Sequence, residues 1–315
     1  MGISHRNLIN PSRYFSRYRQ NEHPAAFELL VADVFSQILS LPFQSSSTDN
    51  PSIIHRVLWT GEYHARSRTI TKSPRGPDSI CYAFGFQILV ECTLKDGANQ
   101  WRHEFVEAID HYTAFVSQPN IRRESLFLAL VSKKLHTDTH MAFRQKAIEG
   151  LNVFLLEATS LAKICYFSKI AFSSRHLDLQ ALMRSLVECL GRSSSLREYR
   201  KEAGNIISDW GRNILRSERT VFFGLKSLAA MQKIGSNIVG TSAILRNLKA
   251  DRDFRFYINV LGQADLATLI KDGLICERFA RLITTPYEPL FCRVDNADYK
   301  YRSNRLVRAV EETNG

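Results

Sequence analysis

The chain has 315 residues with 44% hydrophobic content, and its 42 Lys and Arg against 31 Asp and Glu give a net charge of +11 and a pI near 9.5. This composition is ordinary for a globular protein, and the excess positive charge suits a partner with a phosphate backbone. No apolar run reaches the roughly 18 residues of a membrane-spanning helix, no signal pattern opens the chain, and the six cysteines form no C-x-x-C pair. We therefore expect a cytoplasmic protein with free thiols and no membrane association. No nucleotide-binding or serine-hydrolase motif is present, so those activities are unsupported.

The first residues combine basic and aromatic side chains, namely Arg6, Arg13, Tyr14, Arg17, Tyr18 and Arg19. Such a segment can track phosphates and stack on bases, although a solvated arm has the same composition. Pro24 then predicts the first turn of a helix, with an apolar stripe from Phe27 to Leu41. Glu28 lies beside that stripe, where a carboxylate commonly stabilises the first turn.

A basic loop follows a polar loop at residues 42–51 and a predicted strand at residues 53–59. Four positive side chains lie in it: Arg66, Arg68, Lys72 and Arg75. A loop of this kind can grip the DNA backbone and position a phosphate without selecting a sequence. An ordinary solvated loop is the alternative.

The next stretch predicts a β-hairpin with one chemical face. Gly85 and Phe86 are the predicted turn residues, which places Asp78 opposite Thr93 and leaves Glu91 on a diagonal from Asp78. Side chains alternate between the two faces of a strand, so the polar residues share a face and the apolar ones point to the core. The side chains expected on the polar face are Asp78, Glu91, Thr93 and Lys95.

Two carboxylates in this arrangement predict a divalent-metal site. Diagonal residues in a hairpin lie roughly 7–8 Å apart, so Asp78 and Glu91 can reach one cation. Mg²⁺ prefers oxygen ligands and is usually held by one or two carboxylates together with water and phosphate oxygens. Lys95 and Thr93 are placed to orient the attacking water or neutralise charge on the phosphate. A turn Asp and a solvent-facing Glu that are neighbours by chance remain the alternative.

Residues 99–116 predict a helix after the hairpin. Its apolar side chains are expected to face the sheet, whereas Gln100, Glu104 and His111 fall off that face. The apolar residues are Trp101, Phe105, Ala108, Tyr112 and Phe115.

Strands and helices alternate further along the chain. Residues 126–131 form an apolar run of the central-strand type, residues 142–149 predict a short helix, and residues 153–156 predict another strand. This alternation predicts an α/β sandwich.

Several of these residues together resemble a known nuclease family. Pro77-Asp78, a spacer of twelve residues and then Glu91-Cys92-Thr93-Leu94-Lys95 are similar to the PD-(D/E)xK nuclease superfamily, in particular its AlwI-like branch of type IIS restriction and nicking endonucleases. That branch has a PD…E-x-T-L…Q pattern, and Gln100 and Glu104 follow here. Phe27-Glu28 matches a pair on the family's first helix. The resemblance spans residues 24–170, and Thr93 stands where the superfamily has lysine, with Lys95 two residues later.

The resemblance implies a restriction-endonuclease-like αβα sandwich core that cleaves double-stranded DNA with Mg²⁺, in restriction or phage defence. It also implies a homodimer or a second nuclease subunit as partner. The implied catalytic residues are Glu28, Asp78, Glu91, Thr93, Lys95 and Glu104. Glu28 joins Asp78 and Glu91 as a metal ligand, and Gln100 joins the basic loop as a DNA contact.

The second half of the sequence predicts mainly helices, at residues 177–190, 196–215 and 225–248. We therefore expect a nuclease domain at residues 1–175 and a helical domain at residues 176–315 for targeting, DNA binding or dimerisation. A helix-turn-helix fits residues 227–249, although Met231 stands where that motif has a small residue.

Two other classes of protein stay open. The first is a nuclease fold that has lost its chemistry, against which the intact acids and Lys95 argue. The second is a helical DNA-binding or structural protein whose acids are coincidental and which binds DNA without a divalent cation.

Overall fold

The computed structural model describes residues 24–64, 69–71, 76–95, 97, 99–170, 175–234, 238–251, 255, 291–293 and 298–301. The basic N-terminal residues and the predicted DNA contacts Arg66, Arg68, Lys72 and Arg75 lie outside the described residues. Among the helices that are described, none combines the length and the apolar character needed to cross a membrane.

Helices and strands alternate through most of the described chain. The helices are α1 (Pro24–Leu39), a π-helix (Gln100–Phe105) that runs into α2 (Val106–Val116), α3 (Thr137–Ile148), α4 (Ala158–Ile170), α5 (Arg175–Arg192), α6 (Leu196–Ile234) and α7 (Thr241–Ala250), with short 3₁₀ turns at Ser46–Thr48 and Arg123–Ser125. The strands are β1 (Phe43–Ser45), β2 (Arg56–Trp59), β3 (Glu62–His64), β4 (Thr69–Thr71), β5 (Ser79–Ala83), β6 (Phe86–Thr93), β7 (Leu126–Ser132), β8 (Val153–Glu157), β9 (Ile238–Gly240), β10 (Phe291–Arg293) and β11 (Asp298–Tyr301).

A six-stranded mixed sheet is the centre of the fold, with the strand order β1-β2-β5-β6-β7-β8. Strand β5 runs antiparallel to both of its neighbours, whereas β6, β7 and β8 are parallel. Every residue of β7 is buried, as its uninterrupted apolar sequence predicts for a strand covered on both faces. Parallel neighbours require crossover connections, and helices supply them between β6, β7 and β8.

The predicted hairpin forms, but its register differs from the prediction by two residues. Ala83 pairs with Phe86 and Ser79 with Val90, so the turn residues are Phe84 and Gly85. Gly85 has φ +84°, a conformation that glycine adopts without steric cost and that other residues avoid. Because side chains alternate with period two, a shift by two residues leaves every side chain on its predicted face.

Helices cover both faces of the sheet. On one face, Phe35 of α1 meets Ile88 and Phe154 of the sheet around a small apolar cavity, to which Leu161 of α4 and Leu182 of α5 also contribute. On the opposite face, the π-helix, α2 and α3 pack together, and the Phe105 and Phe143 rings lie 5.4 Å apart edge to face. The predicted α/β sandwich is therefore confirmed.

The start of the helix after the hairpin is π-helical, and this corrects its predicted orientation. A π-helix has i→i+5 hydrogen bonds and therefore a wider turn than an α-helix, which rotates the buried side of the segment. The prediction that Trp101 faces the sheet is wrong, because Trp101 is 39% exposed. Gln100 and Glu104, which were predicted to fall off that face, are buried, whereas Ala108 and Tyr112 are buried as predicted.

The first compact unit extends beyond the boundary predicted near residue 175. It takes in α5 and the beginning of α6 and ends at Gly211, within helix α6. Helix α5 packs on the sheet, and the Tyr199 hydroxyl of α6 donates a hydrogen bond of 2.6 Å to the Leu155 carbonyl of the edge strand β8. Helix α5 and the beginning of α6 therefore belong to the first compact unit.

The second compact unit comprises Ile170–Ser173 and the chain from Arg212 onward. Its described residues include the rest of α6, helix α7 and an antiparallel sheet in the order β10-β11-β9. This sheet was not predicted. The helix-turn-helix prediction is wrong, because strand Ile238–Gly240 and its pairing with β11 separate the two helices.

Candidate active site

Asp78 stands immediately before β5, and its backbone and side chain are both held. The Thr60 hydroxyl donates to the Pro77 carbonyl at 2.7 Å, and the Thr60 N–H donates to the Asp78 carbonyl at 3.0 Å. The Cys92 N–H donates to Asp78 Oδ2 at 2.7 Å. Asp78 is 0% exposed, and its carboxylate is held by the backbone of β6 while its carbonyl is held by Thr60 after β2.

Glu91 lies beside Asp78 on the adjacent strand. Continuing the pairing of Ser79 with Val90 by one residue places Asp78 opposite Glu91. Directly opposed residues have Cβ atoms roughly 4.5–5.5 Å apart, which is closer than the diagonal arrangement predicted from the sequence. The structure therefore brings the two acids together on one face, and their action as metal ligands stays a prediction.

His111 of α2 contacts Glu91 directly. Its Nδ1 lies 2.6 Å from Glu91 Oε1, and Glu91 is buried. The hydrogen bond with Glu91 raises the pKa of His111, burial opposes that rise, and the charges of Glu91, Glu107 and Asp78 add to it. His111 is thus the cationic or hydrogen-bonding neighbour of a buried pair of acids.

Thr93 and Lys95 follow Glu91 at the end of β6. The Lys95 N–H donates to the Thr93 hydroxyl at 3.0 Å, which shapes the turn that leaves the strand. Lys95 Nζ lies 2.7 Å from Glu104 Oε1, and the Lys95 side chain is 44% exposed. Two predicted site residues, Lys95 and Glu104, therefore form an ion pair just beyond the C-terminal end of β6.

Gln100 is fully buried and joins three segments of backbone. Its Nε2 donates to the Lys95 carbonyl at 3.1 Å, to Ser132 Oγ at 2.8 Å and to the Lys134 carbonyl at 2.9 Å, and its Oε1 accepts from the His136 N–H at 2.8 Å. Both ends of the amide are engaged inside the protein. The prediction that Gln100 contacts DNA is therefore replaced by a structural role: it fixes the turns that follow β6 and β7.

Glu28 is buried in α1. The apolar residues of α1 meet Ile88, and alternation along β6 places Ile88 and Glu91 on opposite faces of the sheet. Within the described residues, no group of three or more His, Cys, Asp or Glu could hold a metal ion. The role of Glu28 as a third metal ligand stays a prediction, and the two acids that the hairpin brings together are Asp78 and Glu91.

Sequence reasoning missed three residues that shape the site: Thr60, His111 and Ser132. A signal existed for His111, because Gln100, Glu104 and His111 form the polar stripe of one helical segment. That stripe faces the sheet and supplies a partner to Glu91 and another to Lys95. No comparable pattern marks Thr60 or Ser132, whose contacts depend on the tertiary fold.

Comparison with solved structures finds the small subunit of the heterodimeric restriction endonuclease R.BspD6I. The two chains are 15% identical with a TM-score of 0.46, over 65% of this chain and 98% of that chain. No protein-family model matches this chain, and no curated protein sequence does. Membership of the AlwI-like branch stays a prediction.

Proposed function

We propose that this chain is a Mg²⁺-dependent endonuclease that hydrolyses phosphodiester bonds of double-stranded DNA. The observation that carries the proposal is the pair of buried acids on adjacent strands, Asp78 and Glu91, with a lysine at the end of the same strand. Buried carboxylates are costly unless paired, hydrogen-bonded or metal-bound, and two side by side are typical of a site with a chemical role. The net charge of +11 supports a polyanionic substrate.

The donor set fits a divalent cation. Asp78 and Glu91 would hold it, because two carboxylates together with water and phosphate oxygens are the ligands that Mg²⁺ prefers. When bound, such an ion polarises the phosphate and lowers the pKa of a water ligand at the scissile bond. Lys95 contributes its ammonium, which can neutralise charge that develops on the phosphate. Glu104 Oε1 lies 2.7 Å from that ammonium. The Thr93 hydroxyl accepts a hydrogen bond from the Lys95 N–H and so stabilises the turn after β6.

The partner follows from the number of sites. The sequence offers one hairpin with paired acids, and one such site acts on one scissile phosphate at a time. A double-strand break therefore requires a second copy of this chain or a second nuclease subunit. A cytoplasmic role in restriction or phage defence completes the proposal and rests on the family resemblance.

The deciding experiment incubates the protein with supercoiled plasmid, in Mg²⁺ or in EDTA, and separates supercoiled, nicked and linear DNA on a gel. Nicked circles should accumulate first in Mg²⁺, and linear DNA should follow with a lag that shortens as the protein concentration rises. Equal cleavage in EDTA contradicts the cation dependence. Intact plasmid in both lanes with retained DNA binding identifies a protein without catalysis.

The basic loop is predicted to supply phosphate contacts. Changing Arg66, Arg68 and Lys72 together to Ala should make the salt dependence of DNA affinity shallower, because each phosphate contact contributes a slope of roughly −0.9 in log K against log[salt]. Fluorescence anisotropy of a labelled duplex at several salt concentrations measures this slope.

A matched variant removes three positive charges elsewhere. Arg184, Arg197 and Lys201 are exposed residues of α5 and α6, so their replacement by Ala lowers the net charge equally without touching the loop. A larger loss of slope in this control than in the loop variant would assign the DNA contacts to the helices.

A further inference from the structure

The side of the helical segment that faces the sheet carries more than packing residues. The stretch from Gln100 to Tyr112 supplies Glu104 to Lys95 and His111 to Glu91, each within 2.7 Å. Glu104 and His111 are seven residues apart, which is about two helical turns, so they lie on one side of the segment. One helical segment therefore contacts both Glu91 of β6 and Lys95, which follows β6.

The imidazole of His111 is held rigidly against Glu91. Ala108 and Tyr112, on either side of it in the helix, are almost fully buried, so helix packing fixes the Cα of His111 relative to β6. The His111 side chain is 17% exposed, and the Glu91 side chain is 4% exposed. A separation of 2.6 Å between a ring nitrogen and a carboxylate oxygen is at the short end for charge-assisted hydrogen bonds, which are stronger than neutral ones.

We infer that His111 is a positioning residue: its Nδ1 orients the Glu91 carboxylate so that Glu91 and Asp78 present oxygens to the same divalent cation. This inference rests on the proposed function. A glutamate side chain has three rotatable bonds, and the hydrogen bond restricts the last of them. Hydrogen-bond partners of metal-binding carboxylates typically contribute 10–100-fold in metal affinity or activity.

The test compares two substitutions of the same residue. His111→Asn keeps an N–H donor near the position of Nδ1, whereas His111→Leu removes the donor and retains apolar bulk. Binding of Mn²⁺ is measured by isothermal titration calorimetry on the full-length protein without DNA. We expect about 10–100-fold weaker binding for His111→Leu and a change within about threefold for His111→Asn. The Mg²⁺ concentration that half-saturates plasmid cleavage should shift in parallel, with cleavage recovering at high Mg²⁺.

His103 provides the matched control. It is exposed on the same helical segment, so His103→Leu removes an imidazole without touching Glu91, and Mn²⁺ binding should stay unchanged. Thermal unfolding without metal checks that each variant is folded. If His111→Leu unfolds, His111→Ala carries the same comparison with less bulk.

The outcomes separate the inference from the proposed function. Equal Mn²⁺ affinity for the Leu and Asn variants, both folded, overturns the positioning role even if Asp78→Asn abolishes binding. If Asp78→Asn leaves Mn²⁺ binding intact, the cation site itself is wrong, and the proposed function fails together with the inference.

Discussion

Asp78→Asn and Glu91→Gln are each expected to abolish Mg²⁺-dependent cleavage while the fold and DNA binding stay nearly intact. A cation at the scissile phosphate supplies several kcal/mol of transition-state stabilisation. Losing about 4 kcal/mol lowers a rate by roughly a thousandfold, since 1.36 kcal/mol corresponds to tenfold. Initial rates of plasmid nicking at saturating protein measure the effect.

These substitutions remove charge with little change of shape. An Asn at position 78 keeps an oxygen that can accept from the Cys92 N–H, and a Gln at position 91 keeps an oxygen near His111. Asp110, an exposed acid on α2, is the control, and Asp110→Asn should cut at the rate of the unchanged protein. Cleavage by Asp78→Asn at that same rate would place the active site elsewhere in the chain.

The face of the hairpin that carries Asp78 and Glu91 is predictable, because a shift of the pairing by two residues leaves each side chain on the same face of its strand. The turn was predicted at Gly85 and Phe86 and lies at Phe84 and Gly85, which shifts the pairing by two residues. An error of one residue would have moved Asp78 to the face opposite Glu91. The alternation of Val90, Cys92 and Leu94 with Glu91, Thr93 and Lys95 predicts the face of each side chain, so it is more informative here than the turn.

The helical part of the site was less predictable. An α-helical periodicity places Trp101 on the sheet, whereas the π-helix buries Gln100 and Glu104 there. The π-helical turn accompanies hydrogen bonds from the Gln100 side chain to backbone groups of two other loops. One of these partners, the Lys134 carbonyl, is 34 residues from Gln100, so no local pattern in the sequence indicates it.

The position of Glu28 shows how far a resemblance extends. A Phe-Glu pair on a first helix matched the family, and both residues are buried in α1 as a matched position requires. The structure nevertheless packs α1 against the face of the sheet opposite Glu91. A local match of two residues therefore predicts the buried position on the helix, and the role of Glu28 as a metal ligand stays a prediction.

The first compact unit extends past the predicted boundary near residue 175, for a general physical reason. An amphipathic sequence such as that of α5 shows that one side is buried but not which surface covers it. Here the cover is the sheet and α1, because Leu182 and Met183 meet Phe35 and Phe154. A change from mixed elements to consecutive helices in the sequence therefore does not mark the end of the first compact unit.

A fragment that ends at Ser174 is accordingly expected not to fold, whereas a fragment that ends at Gly211 should fold. The shorter fragment loses five large apolar side chains of α5 that are buried in the first unit: Leu179, Leu182, Met183, Leu186 and Leu190. Burial of each contributes about 1.5–3 kcal/mol, so their loss removes roughly 7–15 kcal/mol. That is comparable with the whole stability of a typical domain, about 5–15 kcal/mol.

The edge of the sheet adds to this expectation. The shorter fragment also lacks Tyr199, whose hydroxyl donates to the Leu155 carbonyl at 2.6 Å and accepts from the Leu155 N–H at 3.2 Å. It lacks Arg200 as well, which contacts Glu157 at 2.7 Å. Strand β8 would then expose unpaired backbone groups and apolar side chains, which favours aggregation.

Circular dichroism melting and size-exclusion chromatography compare the two fragments. A monomeric, cooperatively melting fragment that ends at Ser174 would show that α5 is dispensable and would restore the boundary near residue 175.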